Sequence, residues 1–171
     1  MDGYLAVVSK REVREYDGRP LPDDVMRRIL EAGRVAGSSR NRQARRFVAI
    51  RNRALIERAA QAVFRPSNLL GAALVVAVVV RGKGPLGFDA GRAAQNMMLA
   101  AWNEGIGSCP NGISDAEGLR AALGHGEDEQ VATILSVGYP ALARDPQRHS
   151  AEEWIARADR LALEEVVELR D

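Results

Sequence analysis

The segment Ser9-Lys10-Arg11-Glu12-Val13-Arg14-Glu15-Tyr16 places three cations within five residues and runs into a turn, Asp17-Gly18-Arg19-Pro20. A guanidinium offers a planar fork of donors and an ammonium a point charge, so the cluster suits a phosphate or another compact anion; a solvated basic helix end would look the same. A second candidate is the literal G-x-G-x-x-G of Gly82-Lys83-Gly84-Pro85-Leu86-Gly87, which follows an apolar strand and precedes a long helix, as a dinucleotide fingerprint does. Pro85 removes a backbone N–H from that turn, and about 20 residues on there is only Glu104 at a helix end rather than a strand ending in an acid, which argues against such a site. Cys109, the only cysteine, has no basic or histidine neighbour in sequence to make a thiolate and reads as a small buried filler. His125 and His149 lack neighbours at ligand spacing, so no metal site is expected.

The elements that must position these residues follow from periodicity. Pro22-Asp23-Asp24 opens a helix with proline and carboxylates in its first turn, Val25/Met26 and Ile29/Leu30 recur at helical spacing, and Gly37 is read as its stop. Phe47 to Ile50 reads as a short strand and Ala54 to Val63 as a helix. Ala72 to Val80 is apolar on both alternating faces and rich in β-branched residues, which describes a strand covered on both sides. From Asp89, Ala90, Ala93/Ala94, Met97/Met98 and Ala101 mark a long helix closed by Gly105; Thr133 to Val137 is a further strand, and the acidic tail from Ala151 carries a helix before Val166-Val167. Few strands among many helices without regular βαβ alternation indicate a layered α+β domain.

Composition narrows the function classes. At 171 residues the chain is expected to form one domain, residues 1–171, and its longest apolar run, Leu69 to Val80, is too short for a bilayer span. No secretory pattern precedes the fold and cysteine is scarce, so a cytoplasmic setting is expected. Net charge is only +1, but residues 1–58 carry a net +6 and residues 115–171 a net −7. The first third calls for an anion or for an oppositely charged surface. Nucleic acid is not the expected partner, because aromatic residues make up only 5% of the chain and no binding module surrounds the arginines.

Taken in order, the segments resemble the nitroreductase family of FMN flavoproteins. The opening cationic segment is similar to the family signature of two basic residues, a serine, a β-branched residue, a basic residue and an aromatic. Gly37-Ser38-Ser39-Arg40-Asn41-Arg42-Gln43 before Phe47 resembles the family's Pro-Ser-Ser…Asn…Gln loop. Asp89 to Ala101 resembles its central helix, and Gly105-Ile106-Gly107-Ser108-Cys109-Pro110-Asn111-Gly112 its glycine-rich flavin loop. Gly138-Tyr139-Pro140 and a late Arg160 to Val167 complete the order.

The resemblance implies a three-layer α-β-α sandwich around a central mixed or antiparallel sheet, an intertwined homodimer, and a tail from about residue 161 packing on the partner. It implies that Lys10, Arg11 and Arg160 hold the FMN phosphate, with Glu12 beside them in place of the family's serine, and that Arg14 stabilises charge at N1 and O2 of the ring. It further implies that Ser38, Ser39 and Asn41 bond the ribityl chain or ring edge from the partner subunit, that Asn68 meets the ring's polar edge, and that backbone N–H groups at Asn111 and Gly112 face N5. The implied activity is hydride transfer from NAD(P)H through FMN to a small electron-poor acceptor such as a nitroaromatic or quinone. Other flavin chemistry on the same fold, or a non-catalytic flavin or anion binder, is the alternative. Arg40, Arg42, Arg45 and Arg46 favour NADPH over NADH. Departures from the family pattern are Glu12, Gly37, Ala44-Arg45 where Pro-Trp is common, and a short loop between Val80 and Asp89 where larger relatives carry a lid.

On the residues alone, Ser38-Ser39 and Asn111-Gly112 could equally be turn chemistry, and Arg160 half of a surface ion pair.

Overall fold

The computed structural model describes residues 1–170. The chain divides into two compact units, one of residues 11–144 and one of residues 1–10 with 145–171.

The larger unit is built on the run that the sequence marks as covered on both sides. β2 (Leu74–Arg81) lies inside a four-stranded sheet of order β1-β2-β4-β3, with β1 (Arg45–Ile50), β3 (Gly107–Asn111) and β4 (Glu129–Gly138), and every pairing is antiparallel. Alternation along a strand sends successive side chains to opposite faces. Leu74, Val76, Val78 and Val80 accordingly pack with Ile29 of α2 (Asp23–Arg34) and with Ala94, Met97 and Ala101 of α5 (Leu86–Asn103). Val75, Ala77 and Val79 pack with Ile56 of α3 (Arg53–Ala60), Leu69 of α4 (Pro66–Leu70) and Leu119 of α6 (Ala116–Leu123). The unit is therefore a three-layer sandwich, and the sheet is wholly antiparallel. Close helix packing on the first face depends on a small residue: a Cβ at Gly33 would lie 2.8 Å from Met97 Cγ.

Four readings from sequence shift. α2 ends at Arg34, three residues before Gly37, and α3 ends at Ala60 rather than Val63. The stretch expected to be a glycine-rich loop is mostly strand: β3 pairs with β4 from Gly107 opposite Gly138 to Asn111 opposite Ile134. α5 begins at Leu86, not Asp89, and so absorbs Gly87, the last glycine of the G-x-G-x-x-G. With β2 flanked only by antiparallel strands, that motif has no parallel βαβ unit to serve.

The smaller unit holds α1 (Gly3–Ser9), capped by the Asp2 carboxylate on the Leu5 N–H at 2.8 Å, and α7 (Ala151–Ala156), whose Ser150 and Glu153 form a reciprocal capping box. A short α8 (Leu163–Val166) follows, and in it Leu163 and Val166 are exposed, as are Leu161 and Leu169 on either side. Among the described residues no helix is long and apolar enough to cross a membrane, and no group of three or more His, Cys, Asp or Glu side chains could hold a metal ion.

One surface contact makes stability depend on pH. The Glu129 carboxylate accepts Arg46 Nη2 at 2.7 Å and Nε at 2.8 Å and the Gly126 N–H at 2.9 Å, and chiefly the Arg46 bonds lower its pKa from 4.5 to about 2. A carboxyl whose folded pKa is depressed contributes stability above its unfolded value and loses it as pH falls through the folded one. Glu129→Gln is therefore expected to be less stable than the parent by a constant amount above about pH 5, with the gap closing as pH drops toward 2. Paired urea melts across that range check it; a gap that stays the same at every pH contradicts it.

Candidate functional site

The cationic segment is pinned to the outer edge of β3. Val13 is buried, its N–H donates to the Ser108 carbonyl at 3.1 Å, and this turns Glu12 and Arg14 to solvent while Arg11 is half-buried. Gly107 makes the approach possible: a Cβ there would sit 2.5 Å from Val13 Cβ, closer than any side chain tolerates. A second anchor follows at once. Asp17 N–H donates to the Tyr139 carbonyl and Ala141 N–H to the Glu15 carbonyl, both at 3.0 Å, with Tyr16 bridged to Pro140. Gly138 leaves room for the Tyr16 ring, since a Cβ would lie 2.9 Å from Tyr16 Cδ1 and 3.3 Å from the Ala73 nitrogen. The Gly-Tyr-Pro that the sequence offers as a matching motif is thus the seat of Tyr16, and the Arg19 guanidinium lies 4.1 Å from the centre of the Tyr139 ring.

Behind the segment lies a group of buried polar side chains. Tyr16 Oη is 2.7 Å from the Val13 carbonyl and 2.9 Å from Ser136 Oγ. Asn111 Nδ2 reaches the Cys109 carbonyl at 3.0 Å and Ser136 Oγ at 3.2 Å, and Asn68 Nδ2 donates to Asn111 Oδ1 at 2.9 Å. Burial raises the Tyr16 pKa well above its ordinary value, only partly offset by the Ser136 hydrogen bond, so the phenol stays protonated. The Asn111 side chain is turned inward, which leaves its backbone and the exposed Gly112 as the outward part of that pair. Gly112 is held from the other side by the Phe64 N–H on its carbonyl at 3.0 Å and by the Val63–Ile113 bridge. Cys109 is buried in β3, as a filler should be.

The Ser38 to Gln43 loop is a tightly held turn. Both oxygens of the buried Asp89 accept the Ser39 N–H, at 3.0 and 3.2 Å, and Ser38 Oγ accepts the Gln43 N–H at 2.9 Å. Arg40, Asn41 and Gln43 all adopt φ of 52°, an unusual concentration of left-handed residues outside glycine and a pointer to function. The Ser38 hydroxyl thus does perform the turn role, while Asn41 is exposed. Three of the four arginines offered to a second nicotinamide phosphate are already engaged: Arg42 with the Lys83 carbonyl, Arg45 with the Ala36 carbonyl at the end of α2, and Arg46 with Glu129. The sequence argument for NADPH over NADH therefore loses most of its material. A Cβ at Gly37 would meet only the flexible end of the Arg92 side chain, at 2.8 Å, and that side chain can move away.

Lys10 and Arg160 belong to the smaller unit. Lys10 closes α1, and Arg160 is exposed, donating to the carbonyls of Ala158 at 2.7 Å and Asp159 at 3.1 Å rather than pairing with an acid. Tyr16, Ser136 and Asp89 are the residues of this region to which sequence reasoning gave no role. The signal for Ser136 was present, a hydroxyl set between the apolar Ile134-Leu135 and Val137.

The family model for the nitroreductase family matches residues 7–83 and 87–139, which takes in the pinned segment, the tight turn, α5 from its second residue and all four strands. The chain belongs to the nitroreductase family. Two relatives assigned as NADH dehydrogenase/NAD(P)H nitroreductase are similar along most of their length. One, from Methanothermobacter thermautotrophicus, is 28% identical over 90% of this chain and 88% of its own; the other, from Archaeoglobus fulgidus, is 29% identical over 86% and 96%. Among solved structures, a protein assigned as a nitroreductase from Desulfovibrio desulfuricans, in complex with FMN, is 25% identical with a TM-score of 0.85, over 100% of this chain and 98% of that one. The NADPH:FMN oxidoreductase of Vibrio harveyi, complexed with NAD+, shares the fold at 20% identity and a TM-score of 0.81, over 99% of this chain and 78% of that one. Measured against the nitroreductase pattern, the departure at Arg45 supplies a hydrogen bond to the Ala36 carbonyl, while nothing in the structure explains the one at Gly37. Glu12 is exposed beside Val13.

Proposed function

We propose that this nitroreductase-family enzyme binds FMN and passes a hydride from NADH or NADPH to a small electron-poor acceptor of the nitroaromatic or quinone type. The observation that supports it best is the pinning of the Arg11 to Arg14 segment against the same strand, β3, whose end carries Asn111 and Gly112 with the Asn68 amide beside it. That donor set fits a phosphorylated flavin: cations for a dianion, a carboxamide for the ring's imide edge, and a glycine that permits close approach of the backbone. FMN, when bound, supplies the hydride chemistry at N5.

In this reading Lys10, Arg11 and Arg160 bind the phosphate, with Glu12 as an opposing charge beside them. Arg14 is the fixed cation for N1 and O2, Asn68 orients the ring, and the backbone at Asn111 and Gly112 faces N5. Ser38, Ser39 and Asn41 serve the second subunit of a homodimer, and the exposed Leu161, Leu163, Val166 and Leu169 of the tail pack on that partner. The names of the two archaeal relatives and the FMN of the Desulfovibrio structure support the reading.

Protein purified from cells is expected to be yellow and to bleach under nitrogen with NADH and with NADPH at comparable rates, the engaged arginines giving no ground for a strong preference. Colour that neither nicotinamide bleaches would mark a flavin carrier and overturn the enzymatic part of the reading.

A further inference from the structure

The buried polar group behind the cationic segment fixes the sense of its two amides. Asn111 cannot be turned over, because its amide nitrogen faces the carbonyls of Cys109 at 3.0 Å and Ile134 at 3.3 Å, and an oxygen there would meet two acceptors. Its Oδ1 must then face Asn68, which fixes the Asn68 nitrogen inward at 2.9 Å. At the other end Tyr16 Oη lies 2.7 Å from the Val13 carbonyl and 3.1 Å from the Ser136 carbonyl. Ser136 Oγ accepts from Asn111 at 3.2 Å, lies 2.9 Å from Tyr16 Oη and reaches the Cys109 carbonyl at 3.3 Å. The result is a continuous set of hydrogen-bonded groups linking Asn68 through Asn111, Ser136 and Tyr16 to the carbonyl of Val13. Every hydroxyl proton in it is used, and its members are buried except for Tyr16, which is half-buried.

The two ends of the series face different parts of the proposed site. Val13 is the residue before Arg14. Asn68 is 7% exposed, and its carbonyl oxygen is not sealed from solvent. With one N–H committed to Asn111, Asn68 keeps an acceptor oxygen and a second N–H to offer a ligand. An imide edge carries the complementary N–H and C=O, so this polarity matches a flavin, whereas the reversed amide would not hold its place against Asn111.

We propose that Tyr16 and Ser136 are positioning residues that brace the Asn111–Asn68 amide pair and tie it to the Arg14-bearing segment, so that the ring site is ordered before a flavin arrives. The inference rests on the FMN reading above, and the test separates the two. In the full-length chain, Tyr16→Phe keeps the ring in its seat and removes only the hydroxyl. FMN affinity is expected to fall about tenfold, the loss of one buried hydrogen bond in a coupled series. In flavin-free protein the side-chain amide resonances of Asn68 and Asn111 are expected to shift and exchange faster. Ser136→Ala, which breaks the series one bond away, should give the same amide signature and serves where Tyr16→Phe folds poorly.

A role confined to stability would lower the unfolding midpoint and leave both readouts where they were; unchanged FMN affinity with unchanged Asn68 and Asn111 amide signals overturns the proposal. If the parent binds no FMN, the flavin reading fails on that result alone. The amide signals then still decide the bracing role, supporting it if they shift and sinking it if they do not.

Discussion

Replacing Gly107 by alanine is expected to lower stability by about 2–3 kcal/mol and to abolish tight flavin binding together with it. The reason is geometric. The new Cβ would stand 2.5 Å from Val13 Cβ and within 2.7 and 2.8 Å of its two γ-carbons. Val13 is β-branched and buried, and because its Cβ is itself one of the clashing atoms, no rotation about χ1 relieves the contact. Backbone has to move, and the bond it breaks first is Val13 N–H to the Ser108 carbonyl, the tie that holds Arg11, Glu12 and Arg14 along β3. A urea melt and an FMN titration on the same preparation check both parts. Parental stability would show that the edge of β3 yields more easily than its packing suggests.

The second large effect concerns charge alone. Arg11→Ala is expected to weaken FMN about thirtyfold, the size of a lost charge-assisted hydrogen bond of about 2 kcal/mol. Arg11→Lys should recover a good part of this, because a phosphate accepts a point charge, though without the guanidinium's fork. Isothermal titration with FMN reads all three proteins. An alanine variant that binds as the parent does would remove Arg11 from the phosphate and leave Lys10 and Arg160 to account for it.

How much of this could be read from residues alone differs from element to element. β2 was plain, because seven consecutive apolar side chains from Leu74 to Val80 can be satisfied only by cover on both faces. β3 was not. Gly107, Pro110 and Asn111 are loop chemistry by local preference, and they become a strand only because β4 is ten residues long and leaves an edge that needs a partner. The start of α5 was misplaced for a related reason. Asp89 looks like the opening of a helix, but its carboxylate is spent on the Ser39 N–H fifty residues away, and the helix begins at Leu86 without a side-chain cap. Short elements such as α1, α4 and α6 carry too few apolar positions for a period to show.

The candidate site was partly visible in the same way. Residue type disclosed the cations and the glycines, since charge and the absence of a Cβ are properties of single positions. What joins them, Tyr16 packed on Gly138, Ser136 on Asn111 and Tyr16 on Ser136, depends on strand register, which brings the last pair, 120 positions apart, into hydrogen-bond range. The arginines of the tight turn went the other way. Read as free charges they pointed to a second phosphate; in the fold most of them hold carbonyls and a carboxylate.

The central claim is that the cationic segment binds a flavin through its phosphate. Flavin-free protein titrated in parallel with FMN and with riboflavin, which differ only in that group, tests it most directly. The account predicts that FMN binds at least about thirtyfold more tightly, the size of one charge-assisted bond to phosphate, and that added salt narrows the gap. Equal affinity for the two, or no binding of either, would contradict it.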